Sequence, residues 1–86
     1  MSQLSIWEVR WAIPAAVIHA AEKIGNGRTR LTRIFSGLEV LAQRSKTSWI
    51  KQLSKNLLLD PYRVEDIVES GIQPDRELVE RILNSF

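Results

Sequence analysis

The apolar residues of this chain recur every three or four positions, and this spacing restricts its fold more than any other feature. The clearest case runs from Leu31 to Ala42, where the apolar side chains share one helical face about 120° wide. Asn26-Gly27 could also begin a β-hairpin, but neither flank alternates apolar and polar residues as half-buried strands do. The pattern therefore predicts an all-α protein.

Helix-breaking residues divide the chain into about five short helices. Gly25-Asn26-Gly27 ends a long first helix, and Pro14 predicts a kink or a helix boundary within it. Gly37 lies inside the second helix, where glycine costs about 1 kcal/mol relative to alanine and indicates close approach of another backbone. With 86 residues the chain is long enough for one core. We therefore expect a single helical domain over residues 1–86, built as a compact bundle.

Capping signals are clearest in the C-terminal half. Asp60-Pro61 is typical of an N-cap followed by proline at the first helical position, with Leu59 placed to pack on Val64. Gly71 is the expected left-handed terminator of that helix. Pro74-Asp75 begins the last helix, so this half is predicted to hold two short capped helices after the third.

The most specific pattern is Ile50-x-x-Leu53-Ser54-x-x-Leu57-Leu58-Leu59-Asp60-x-x-x-Val64-x-x-Ile67. It resembles the helix-turn-helix template of bacterial transcription regulators, with Ser54 at the small-residue position and Asp60 as the cap of the second helix. The resemblance covers roughly twenty of the 86 residues. It implies helix-turn-helix-like packing in the C-terminal half.

Two departures from that template bear on its use. Leu58 occupies the turn position that usually holds glycine. The helix that would enter the major groove carries Arg63 against three acids, Glu65, Asp66 and Glu69. The negative charge of such a helix would be repelled by the phosphates of DNA. The sequence therefore favours helix-turn-helix-like packing over the use of this helix to read the major groove.

Charge is distributed unevenly along the chain, although the net charge is only +2. Residues 1–59 hold nine Lys or Arg against three acids, a charge of +6, and residues 60–86 hold three Arg against seven acids, a charge of −4. The acidic C-terminal helices could lie against the basic middle and neutralise it. Alternatively, a basic face is left open for an anionic partner.

The basic face would be centred on the second helix. Arg30, Arg33 and Arg44 fall within about 60° of one another, with Gly37 between them, and span roughly 20 Å of helix axis. Arginine can bind phosphate with two hydrogen bonds at once, which favours nucleic acid as the partner. The candidate nucleic-acid-binding residues are Arg28, Arg30, Arg33, Arg44, Lys46, Lys51 and Lys55.

A second apolar face on the first helix supports a competing hypothesis. Trp7, Trp11 and Ile18 lie about 120° from the main apolar stripe of that helix. Tryptophan is enriched at interface hot spots, so this face could contact a protein partner or a second copy of the chain. The alternative is that the first helix is central and buried on all sides. The competing function is therefore a protein-protein adaptor or assembly subunit.

Several function classes are not expected. The chain has no cysteine and one histidine, His19, with no carboxylate at metal-ligand spacing other than Glu22, so we expect neither an enzyme nor a cofactor or metal site, and no small-molecule substrate is evident. The longest apolar run is too short to span a bilayer, and the N-terminal residues do not resemble a signal peptide. The absence of cysteine fits a reducing compartment, so we expect a cytoplasmic protein without membrane contact.

Overall fold

A computed structural model describes the backbone of residues 6–86 and the side chains of residues 11–86. This part of the chain forms five α-helices and no strand, which confirms the all-α prediction. The helices are α1 (Ile6–Ile24), α2 (Arg30–Arg44), α3 (Ser48–Leu58), α4 (Pro61–Ser70) and α5 (Arg76–Leu83).

Helix α1 is the centre of the bundle and packs against each of the other four helices. Every side chain from Pro14 to Ile18 is buried, so this part of α1 is covered on all sides. The helix continues through Pro14, and the predicted alternative of a helix boundary at this residue is wrong. Neighbouring helices hold the segment in place even though proline cannot donate the local hydrogen bond.

Helices α1 and α2 form an antiparallel pair that packs backbone against backbone. A Cβ atom on Gly37 would overlap the backbone of Ala21, and a Cβ atom on Gly25 would overlap the carbonyl of Arg33. The two glycines therefore lie where the helices are too close for any side chain. The close approach predicted at Gly37 is confirmed.

The helix ends follow the capping signals. Asp60 Oδ1 accepts a hydrogen bond from Arg63 N at 3.2 Å, and Asp75 Oδ1 accepts one from Glu77 N at 2.9 Å. Gly71 ends α4 in the left-handed conformation, with φ 68°. Thr29, which the sequence reading did not single out, caps α2 through a capping box with Thr32.

The third and fourth helices contact each other across a two-residue connection, Leu59 and Asp60. Leu59 is 84% exposed, so the predicted packing of Leu59 on Val64 is wrong: the side chain extends into solvent from the turn. Leu53 and Leu58 of the helix-turn-helix pattern are half-buried, and five of its other positions are buried: Ile50, Ser54, Leu57, Val64 and Ile67.

A small polar contact ties the end of the chain to the loop between α2 and α3. Ser45 Oγ donates to Ser85 Oγ at 2.8 Å, and both serines are buried. Lys46 N donates to the carbonyl oxygen of Ser85 at 2.5 Å. We call these contacts the Ser45–Ser85 latch; they join residues 40 positions apart.

Candidate nucleic-acid interface

The seven candidate basic residues form two groups along the chain, one just before and at the start of α2 and the other from the end of α2 through α3. The first group, which we call the α1–α2 cluster, consists of Arg28, Arg30 and Arg33. The second, the α2–α3 cluster, consists of Arg44, Lys46, Lys51 and Lys55. Helix α2 has 15 residues, so about 20 Å of helix axis separates the two groups.

In the α1–α2 cluster two arginines share one carboxylate. Arg30 Nε donates to Glu22 Oε1 of α1 at 2.8 Å, and Arg33 Nη2 lies 3.9 Å from Glu22 Oε2. Arg33 Nη1 also donates to the carbonyl of Gly27 at 3.4 Å. Two positive charges against one negative charge leave this end of the hairpin basic, but the arginines already hold partners.

Helix α1 interrupts the predicted arginine stripe. Gly37, which the helical wheel places between Arg33 and Arg44, is buried against Ala21 and is not on an open face. A continuous stripe along α2 is therefore wrong. The reason is geometric: the absence of a side chain at Gly37 is what lets α1 cross α2 at this point.

The α2–α3 cluster is more open. Arg44, Lys46 and Lys55 are exposed and Lys51 is half-buried. Within the described residues none of these four makes an ion pair, because the ion pairs found there are the two that Glu22 forms. Their positive charge therefore faces solvent.

The acidic helices pack mainly on α1, although α4 also contacts α3 and Ser85, just after α5, contacts Lys46 in the loop between α2 and α3. Helix α4 packs on α1 and α3, and α5 packs on α1, whereas α2 packs on α1 and α3. In the part of the chain that the structure describes, no acidic side chain of α4 or α5 lies within 4.0 Å of a basic group. Direct pairing of the acidic helices with the basic middle, one of the two alternatives, does not occur among these residues.

The predicted tryptophan face is largely covered by the chain itself. Ile18 is 1% exposed, so its assignment to an open protein interface is wrong: the helices around α1 enclose it. Trp11 is half-buried and packs against the core. The Trp7 side chain lies outside the described residues.

Two adjoining depressions lie where α1 meets α4 and α5, and both have His19 and Gln73 in their walls. The smaller recess, about 150 Å³, has apolar walls from Ile18 and Ile72 among others. The larger cleft, about 440 Å³, is lined by charged side chains from α1 and α5. We call the two together the His19 groove. Burial and then the positive charge of Arg30 lower the pKa of His19, and they outweigh the opposing effect of Glu22.

Other kinds of site have less support. Among the described residues no three potential ligands are grouped to hold a metal ion, and no helix there is both long and apolar enough to cross a bilayer. Leu59 and Tyr62, 84% and 79% exposed, form an apolar projection at the corner between α3 and α4. Such large exposed apolar side chains mark possible contact points.

Comparison with protein-family models gives no match, and comparison with curated proteins and with solved structures gives no significant similarity.

Sequence reasoning missed Glu22 and the groove. Glu22 lies eight residues before Arg30 on another helix. The short loop between α1 and α2 was the available signal, because in a helical hairpin the residues nearest the loop on the two helices lie close together. The groove had no comparable signal, because its walls come from helices far apart in the sequence.

Proposed function

We propose that this protein binds nucleic acid through the phosphate backbone, with the α2–α3 cluster as the principal contact surface. The α1–α2 cluster adds a weaker contribution, since Glu22 already occupies two of its arginines. The mode is sequence-independent attraction between basic side chains and phosphates. No sequence preference is implied by these contacts.

The observation that carries the proposal is the separation of charge in the folded chain. The α2–α3 cluster makes no ion pair with any described residue, although α4 packs on α3 and Ser85, just after α5, contacts Lys46. A basic surface without internal partners attracts polyanions and releases their counterions on binding.

The same observation argues against α4 as a groove-reading helix. Its solvent-facing side chains include Glu65, Asp66 and Glu69, all exposed. A negative helix surface is repelled by the phosphates that line the groove. The resemblance to the helix-turn-helix template therefore concerns only how α3 packs on α4. Binding is assigned to the α2–α3 cluster.

The test is binding to a random-sequence DNA duplex as a function of salt. About four phosphate contacts give a slope of about −3.6 for log affinity against log salt concentration, because each contact contributes about −0.9. The double variant Arg44→Gln/Lys55→Gln should reduce the magnitude of that slope by about 1.8. Both side chains are exposed, so the variant should keep its helical circular dichroism.

The matched control is Arg63→Gln/Arg81→Gln, which removes the same charge from exposed positions in the acidic half. It should leave the salt slope unchanged, because local phosphate contacts and not net charge set the slope. Absence of binding at about 50 mM salt, or equal weakening by both double variants, would refute the proposal.

A second candidate function is self-association, which the exposed Leu59 and Tyr62 favour. Glu65 and Asp66 lie about one helical turn after Tyr62 on α4 and are exposed, and their charge is complementary to the α2–α3 cluster of a second copy. Mass measurement in solution separates the two functions. A concentration-dependent dimer that Leu59→Ser/Tyr62→Ser dissolves supports this candidate, and a monomer at all concentrations excludes it.

A further inference from the structure

The His19 groove combines a charged cleft with a recess whose walls are partly apolar, and none of the features discussed above uses it. At about 440 Å³ the cleft is within the usual size range of small-molecule sites, which is roughly 300–1,000 Å³. The recess of about 150 Å³ continues from it past His19 and Gln73. The groove is thus large enough for a small organic molecule.

The charged side chains of the groove are mostly basic. Lys23 and Arg76 line the cleft, and Arg30 lines the recess. Glu80 is the one carboxylate among the lining residues, and Glu22 offsets Arg30 from outside the lining. Three positive charges against two negative ones leave a net positive charge in a concave surface, which concentrates anions.

The recess places a second requirement on a ligand. Its walls include Ile18, Ile67, Val68 and Ile72, which offer no hydrogen bonds. Arg30 and Gln73 also line the recess, so a ligand with both an anionic group and a ring or alkyl group fits it best, because the apolar part would be removed from water against these walls.

We infer that the His19 groove binds a small organic anion, with its phosphate or carboxylate group held by Lys23 and Arg76 and its apolar part in the recess. This site is separate from the α2–α3 cluster, and the inference goes beyond nucleic-acid binding. Only Arg30 belongs both to the groove and to the candidate nucleic-acid residues, so the tests below leave Arg30 unchanged.

His19 can report on binding because it stands between the cleft and the recess and is the protein's one histidine. The charged groups around it are Glu22 and Lys23 on α1, Arg30 on α2, and Arg76 and Glu80 on α5. The side chains that α4 adds to the recess wall are apolar. A bound anion adds negative charge beside the imidazole and favours its protonated form. The pKa of His19 should therefore rise on binding, and affinity should increase as pH falls.

The experiment is titration of the His19 imidazole signals by NMR, at constant ionic strength, with phenyl phosphate and benzoate as organic anions. Inorganic phosphate tests charge without an apolar part, and benzyl alcohol tests an apolar part without charge. Either organic anion should shift the His19 signals until the shift saturates with increasing ligand concentration, and should raise the pKa of His19. Each should bind about tenfold more tightly than inorganic phosphate or benzyl alcohol, since both parts of the ligand contribute.

Variants assign the contacts. Lys23→Gln and Arg76→Gln, both at exposed positions, should each weaken organic-anion binding by about tenfold without loss of helical structure, since each removes a charge-assisted hydrogen bond. Arg81→Gln on α5, which lines neither depression, is the matched control and should leave affinity unchanged. The inference is overturned if neither organic anion saturates the His19 signals, if inorganic phosphate binds as tightly as the organic anions, or if Arg81→Gln weakens binding as much as the groove variants.

Discussion

The two ends of this small bundle are built differently. Helices α1 and α2 are 19 and 15 residues long and pack through their backbones at Gly25 and Gly37. Helices α4 and α5 are 10 and 8 residues long, and each has two fully buried apolar side chains. One region is therefore stabilised by packing between long helices, and the other depends on capped helix ends and on attachment to α1.

The charges follow the same division. The basic residues lie mainly on α2, α3 and their loops, and the acidic ones lie mainly on α4 and α5. The ion pairs of the described residues both join α1 to α2 and none joins the two regions. Among the described residues the opposite charges of the two regions therefore make no direct ion pair with each other.

The largest expected effect comes from adding one methyl group to the hairpin. Alanine is usually more stable than glycine inside a helix by about 1 kcal/mol, but Gly37→Ala should destabilise the protein by about 3 kcal/mol because the new Cβ overlaps the backbone of Ala21. Urea unfolding measures the change.

Gly71→Ala is the comparison variant in the other region. Nothing lies within 4 Å of a Cβ at Gly71, and its cost of about 1 kcal/mol comes from the left-handed backbone alone. If Gly37→Ala proved as mild as Gly71→Ala, the difference in packing between the two regions would be disproved.

A smaller effect is expected from removing a helix cap. Asp75 Oδ1 accepts hydrogen bonds from Glu77 N at 2.9 Å and from Leu78 N at 3.4 Å. Asp75→Ala should therefore cost about 1 kcal/mol. Amide hydrogen exchange should accelerate in α5 and stay unchanged in the α1–α2 hairpin, because short capped helices open locally. Uniform acceleration along the whole chain would show that the two regions open together. Asp75→Asn, which keeps an accepting oxygen, is the control.

The smallest expected effect concerns pH at the boundary of the two regions. The pKa of His19 is lowered in the folded protein, chiefly by burial, so the unfolded chain binds its proton more readily. Stability should therefore decrease as the pH falls below the ordinary histidine pKa of about 6.5. His19→Gln should flatten the dependence of the unfolding free energy on pH between about 7 and 5. Above about pH 8 the unfolding free energies of wild type and variant should change with pH in parallel. If both changed equally with pH between about 7 and 5 as well, His19 would not be the group responsible.

The local structure of the chain was readable from its sequence to a large extent. Asp60, Gly71 and Asp75 act as the predicted caps and terminator because capping depends on atoms within a few residues of the helix end. The prediction of an apolar face on α2 is confirmed, because Ile34 and Leu38 on that face are fully buried. Helical periodicity is sufficient for such predictions.

The errors arose where several helices meet. Ile18 was assigned to an interface because a helical wheel gives the direction of a side chain but not which helices cover it. Trp49 and Ile13 are large apolar residues on helices, yet they are 41% and 44% exposed. The candidate basic residues were read as one stripe, because their division into two clusters depends on where α1 crosses α2. Which side chains are buried and which basic residues lie together depends on how the helices pack. The periodicity of the sequence gives no information about that packing.

The Ser45–Ser85 latch has a consequence for the order of folding. The α1–α2 hairpin closes across a five-residue loop, whereas the latch closes a ring of chain between residues 40 positions apart. Closing the longer ring costs more chain entropy, so the hairpin is expected to form early and the latch late. Contacts made after the rate-limiting step influence unfolding more than folding. Weakening the latch would thus shorten the lifetime of the native state while the speed of reaching it stayed nearly the same.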